Sequence, residues 1–185
     1  MATDSGLAQR PRLERPGARI AFVVSTFHHE LTSAMMESAR RELLSSGVAE
    51  QDMPVALVPG AFELPLVARR FARRPDIDAV ICLGLVLKGE TTHDLHVSQG
   101  ATQGIQSVML DTDKPVLFGV LTCNTLAQAK ARALSPEDGG EQDKGRELAI
   151  AAITVLAALD TASDPEPQAP VGFPTPTASR PSNHQ

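Results

Sequence analysis

Residues 83–97, LGLVLKGETTHDLHV, pass from an apolar run to polar chemistry within a few positions. Gly89 allows a sharp turn after the apolar run. Thr91 and Thr92 offer hydroxyls, one of which can cap a following helix. The first N–H groups of that helix would then point at an anion such as phosphate. The spacing GxxxxGK[ST] is absent, so this is not a Walker loop. Taken alone, the turn is more simply a well-capped helix start. His93 would lie in the first helical turn, where an imidazole beside a phosphate ester can move protons during elimination; a solvated or capping histidine is the alternative. His93 and His96 could also form a metal pair at i, i+3 with His28 or His29, but no second carboxylate or thiolate cluster supports this, and no metal is expected.

Other residues could share such a site. Phe27 follows an apolar run and could stack on a flat heterocycle or plug the core. Glu63 could offset a helix dipole or accept hydrogen bonds from a polyol. Arg132 could bind phosphate in a two-pronged manner or sit solvated.

The elements that must position these residues follow from the apolar pattern. Strands are expected at 19–26, 55–59, 78–87 and 115–123. Helices are expected from Leu31 to Gly47, from about Phe62 with Pro65 in the first turn, from Thr92 or His93 to Leu110, over 125–134 and over 144–160. Leu31, Met35, Ala39 and Leu43 repeat along one helical face. The strand runs are continuously apolar, as suits a parallel sheet covered on both faces. Right-handed crossovers then give an α/β fold of flavodoxin-like type, a three-layer α/β/α sandwich around a four-stranded parallel sheet of order 2-1-3-4. Ligands of such sheets sit beyond the carboxyl ends of the strands, here STFHHE (25–30), VPGAFE (58–63), LKGETTH (87–93) and LTCN (121–124). The last helix shows almost no polar face in LAIAAITVLAAL (148–159), so it is either wedged within the chain or packed on a second one.

With 185 residues and a net charge of −5, the chain is expected to form one domain without a basic field to recruit nucleic acid or membrane. The cluster RRFARR (69–74) reads as an exposed helix end. Cys82 and Cys123 lie in apolar runs and read as buried thiols. The N-terminal residues contain no apolar signal stretch and no run is long enough to span a bilayer, so a cytoplasmic setting is the default. Residues 1–17 read as a flexible arm, 18–160 as the folded domain, and 161–185, with six prolines, as a disordered tail.

VPGAFELP (58–65), GLVLKGETTH (84–93) and VLFGVLTCNT (116–125) followed by QAKAR (128–132) together resemble the lumazine synthase family over about residues 18–160. The resemblance implies a condensation of 5-amino-6-(D-ribitylamino)uracil with 3,4-dihydroxy-2-butanone 4-phosphate that needs no cofactor. It implies His93 as the proton-transfer residue. It implies Phe27 as the ring-stacking aromatic, Ala61, Phe62 and Glu63 at the ribityl chain, and the backbone of Leu85, Val86 and Leu87 at the uracil edge. Phe118 matches a residue contributed by a neighbouring subunit. Glu90 and Thr91 match a phosphate-binding turn, Arg132 a phosphate-binding arginine, and Lys144 a lysine nearby. The family forms pentamers with sites between subunits, which would cover the apolar last helix. The long link RALSPEDGGEQDKG (132–145) favours an isolated pentamer, or two stacked into a decamer, over a sixty-subunit shell. After His93 the family usually has an aromatic and then an acid, whereas this chain has Asp94-Leu95-His96. A non-catalytic flavin- or pteridine-binding scaffold is the alternative activity. A response regulator would want acids where STF stands, and a flavodoxin a hydroxyl-rich phosphate loop where FHHEL stands.

Overall fold

A computed structural model describes residues 17–163. The elements run β1 (Ile20–Ser25), α1 (His29–Ser45), β2 (Val55–Val58), α2 (Leu64–Ala72), β3 (Ala79–Leu87), α3 (His93–Thr112), β4 (Val116–Cys123), α4 (Leu126–Ala133) and α5 (Lys144–Ser163). Short 3-10 turns lie at Glu50–Asp52, Ala61–Glu63 and Pro136–Asp138. The four strands are parallel in the order β2-β1-β3-β4, as the continuous apolar runs predict. The expected arm lies outside the described residues except for Gly17. The expected tail lies outside them beyond Ser163, and its first three residues belong to α5. There Thr161 and Ser163 donate their hydroxyls back to the carbonyls of Ala157 and Leu159, one turn earlier, which lets polar residues continue the helix.

Alternation along the strands sends side chains to two cores. Ile20, Phe22, Val24, Ile81 and Leu83 pack under α1, α4 and α5. Ala21, Val23, Val80, Cys82 and Val120 pack under α2 and α3. The stripe Leu31, Met35, Ala39 and Leu43 of α1 is buried as its spacing requires. Gly47, at φ 99°, ends α1 in the left-handed conformation. The Val48 amide then returns to the Leu43 carbonyl, closing the helix end. Arg69, Arg70, Arg73 and Arg74 are exposed at the carboxyl end of α2, where cations suit the helix dipole. Both cysteines are free and buried. Burial pushes the Cys82 thiol up to about 12, so it is no nucleophile at neutral pH.

The helix α5 answers its own sequence puzzle in two parts. Ala149, Ile150, Ala152, Ile153 and Leu156 are buried within the chain. On the other side Val155, Ala158 and Leu159 remain exposed, and residues 148–159 carry no charge. No helix among the described residues is long and apolar enough to cross a membrane.

The link between α4 and α5 is ordered by its own hydrogen bonds. The Ser135 hydroxyl donates to the Asp138 carboxylate at 2.7 Å. The Gly140 amide donates to the Ser135 carbonyl at 2.8 Å and the Glu141 amide to the Ala131 carbonyl at 2.7 Å. The link is therefore folded back on the end of α4.

Candidate active site

A cavity of about 590 Å³ opens at the carboxyl ends of the strands, within the size range of small-molecule sites. Its first wall begins where β1 ends. Phe27 is 66 % exposed, so it is no core plug. Its ring lies on Gly60, where a Cβ would meet the ring at 3.3 Å. His28 follows in the left-handed region at φ 55° and also lines the cavity.

The second wall is the 3-10 turn Ala61–Glu63. All three residues line the cavity. The Gly60 amide donates to Glu63 Oε2 at 2.9 Å, which fixes the carboxylate at the turn. No other hydrogen bond reaches that carboxylate among the described residues, so it keeps capacity for a further donor. Phe62, 60 % exposed, lies against α3, because a Cβ on Gly100 would sit 2.6 Å from its ring. Gly104 admits Pro65 in the same manner, with a distance of 2.6 Å to the proline Cγ. Two glycines one turn apart thus let the second wall approach α3.

The floor is the end of β3. The Ala79 amide bonds the Arg19 carbonyl beside β1, while the Val80 and Lys88 amides bond Pro115 and Cys123 beside β4. Odd-numbered residues of β3 therefore direct their main-chain groups toward β1 and even-numbered ones toward β4. The register with β1 ends at Val24 opposite Leu83, whereas β4 continues to Cys123 opposite Leu87. Leu87 stands past the end of β1, with its amide and carbonyl on the cavity side. Leu85, Val86 and Leu87 all line the cavity.

The last wall is the turn after β3 and the start of α3. Gly89, Thr91, His93, Asp94, His96 and Val97 line it. Thr92 takes the N-cap position without a side-chain cap bond, contrary to the capping expected of a threonine there. The Thr91 hydroxyl accepts only a long bond from the His93 amide, 3.4 Å. The Thr92 main-chain carbonyl instead serves the Leu95 and His96 amides, as an ordinary helix start does. Glu90 is exposed and outside the lining.

Three of the residues singled out in the sequence are placed elsewhere in the chain. Phe118 is 42 % exposed on β4, which is an edge strand. Arg132 ends α4 with its guanidinium donating to the Gln128 carbonyl at 3.0 Å. It lies close enough to the Cys123 thiol to oppose the rise that burial imposes on that group. Lys144 pairs with Glu147 at 2.6 Å. None of the three lines the cavity of a single chain. Conversely, His28, Asp94 and His96 line it without having been singled out for substrate binding. His28 stands in the strand end STFHHE, and His96 lies three residues after His93 on the same helical face. Those spacings were the available signals. Among the described residues no group of three or more His, Cys, Asp and Glu side chains is placed to hold a metal ion.

An aromatic, a positioned carboxylate, open main-chain groups and an imidazole beyond the strand ends of a doubly wound sheet define a binder of small polar ring compounds. The family model described as 6,7-dimethyl-8-ribityllumazine synthase matches residues 17–160, and the chain belongs to that family. It is 42 % identical over 153 residues to the 6,7-dimethyl-8-ribityllumazine synthase of Thermus thermophilus, covering 83 % of this chain and 95 % of the relative. The protein of that name from Mycolicibacterium vanbaalenii is 40 % identical over 159 residues, 86 % of this chain and 98 % of the relative. That from Protochlamydia amoebophila is 40 % identical over 146 residues, 79 % and 83 % of the two chains.

Proposed function

We propose that the chain is a transferase that joins 5-amino-6-(D-ribitylamino)uracil to 3,4-dihydroxy-2-butanone 4-phosphate, forming 6,7-dimethyl-8-ribityllumazine with release of phosphate and water. The observation that carries this reading is the single cavity shared by Phe27, Ala61–Glu63, Leu85–Leu87 and His93, in a chain matched by the family model over nearly its whole described length.

The substrate amine attacks the ketone and water leaves to give an imine. A proton is then lost from the carbon between imine and phosphate-bearing carbon and phosphate departs, leaving an enol; the enol tautomerises to a ketone, and the second amine closes the ring on that carbonyl with loss of water. The nucleophile belongs to the substrate. The protein's part is to align two reactants and to move protons. Phe27 stacks on the ring, the main chain of Leu85–Leu87 meets its polar edge, and Glu63 accepts ribityl hydroxyls. His93 carries protons, and Glu90 and Thr91 border the phosphate.

Phe118, Arg132 and Lys144 complete this site only if a second copy brings them to the cavity. The exposed edge strand β4 and the apolar outer face of α5 support such an assembly, and the reading takes it as a pentamer, single or stacked in pairs. Native mass spectrometry should then find five or ten chains of 19.6 kDa; a monomer would leave the three residues without a role.

The activity is tested by mixing the protein with both substrates and following phosphate release and lumazine fluorescence. Arg132→Ala should raise KM for the phosphate substrate about 10- to 100-fold, the worth of a charged hydrogen bond, with KM for the aminouracil unchanged. Wild-type protein that releases no phosphate would refute the reading. The absence of tryptophan and tyrosine leaves bound pteridine or flavin easy to see by absorption, which checks the binding-scaffold alternative.

A further inference from the structure

The face of α3 that borders the cavity carries more than His93. His93, His96, Val97, Gly100 and Gly104 recur at the helical spacings that share one side. The first three line the cavity. Gly100 meets Phe62 and Gly104 meets Pro65. Along this face the helix therefore leads from the Gly89–Thr91 turn toward the Ala61–Glu63 wall, and His96 stands between the two. Its side chain is exposed to the cavity, and no hydrogen bond holds its imidazole among the described residues.

The chemistry of the ring decides what it suits. A phosphate offers acceptors only and is met by helix N–H groups and cations. A neutral imidazole has one donor and one acceptor, and a hydroxyl is likewise both. A chain of hydroxyls lying along the Ala61–Glu63 wall would have the Glu63 carboxylate on one side and the His96 ring on the α3 side. Resting on the reading of function above, we propose that His96 is a specificity-determining residue that hydrogen-bonds the hydroxyls of the substrate's polyol side chain.

Steady-state kinetics on the full chain test this. His96→Ala should raise KM for the ribityl-bearing aminouracil about tenfold, with KM for the butanone phosphate unchanged and kcat altered far less. His96→Gln, which restores a donor and an acceptor, should recover most of the loss. With a 5-amino-6-alkylaminouracil lacking hydroxyls, wild type and His96→Ala should show the same KM. An unchanged KM for the ribityl substrate would overturn the inference, as would an equal rise for both aminouracils, which means packing alone. A rise confined to the butanone phosphate would reassign the ring to the phosphate. If the wild-type chain forms no lumazine, the reading of function fails and this inference with it; normal wild-type turnover combined with an inert His96→Ala removes the inference alone.

Discussion

Replacing His93 with alanine is expected to slow turnover about 10- to 100-fold, at or below the low end of the roughly 10²- to 10⁴-fold range of general acid–base catalysis. The reason for the modest size lies in the chemistry. The attacking amine needs no activation by the protein, and much of the acceleration comes from holding two reactants together, which His93→Ala leaves in place. In the proposed reaction the imidazole accelerates only the steps in which a proton must move. Its position at the start of α3, on the cavity wall beside Thr91, suits the loss of a proton next to the departing phosphate. KM for either substrate should change little, because an interaction made mainly in the transition state lowers kcat and kcat/KM together. The truncated side chain leaves room in the cavity, so added free imidazole should restore part of the rate. Wild-type kcat in His93→Ala would show that the proton is carried by another group.

The second large effect concerns stability. Gly145→Ala should cost about 3 kcal/mol, the upper part of the range for overpacking. At the joint between α1 and α5, a Cβ on Gly145 would overlap the Met35 carbonyl oxygen and lie 2.8 Å from its carbon. These are backbone atoms in the middle of a helix and cannot swing aside as a side chain can. The joint is also fixed from both flanks. Asp143 accepts from the Ser38 hydroxyl at 2.6 Å and from the Arg146 amide at 3.1 Å. Arg146 in turn pairs with the buried Glu42 at 2.8 Å. Relief of the clash would have to break those contacts. Thermal unfolding should show a fall in Tm of roughly 6–12 °C for a chain of this size. Gly89→Ala, where a Cβ meets nothing within 4 Å, serves as the control for stability and should unfold near the wild-type temperature. Equal unfolding temperatures for Gly145→Ala and wild type would mean that α1 and α5 do not approach as closely as described.

The sheet order and the helix positions were legible because the central strands β1 and β3 are buried on both faces, all four strand runs are apolar, and some helix ends fall on residues with a conformational reason to be there. Gly47 and Pro65 are examples. The end of α5 was misjudged by three residues, since Thr161 and Ser163 look like loop formers until their hydroxyls are seen bonding to the preceding turn. The cavity could be anticipated from the strand ends: those of β1, β2 and β3 line it, whereas LTCN (121–124) after β4 does not within a single chain. Two things were not legible. The single-chain distance of Phe118, Arg132 and Lys144 from the cavity depends on how layers are stacked, which spacing does not encode. The role of His96 as a cavity residue needs the exact first turn of α3: a start one residue later would have rotated it by about 100°.

The overhang of β3 past β1 has a consequence for how such a protein can change over time. Groups that Leu87 holds out beyond the neighbouring strand belong to the chain's connecting frame, not to any particular side chain. Exchange of one aliphatic residue for another at that spot leaves the same donor and acceptor in the same place, so the ring recognition proposed there is shielded from ordinary mutational drift. Only proline, which deletes the N–H, or a shift of strand alignment could erase it.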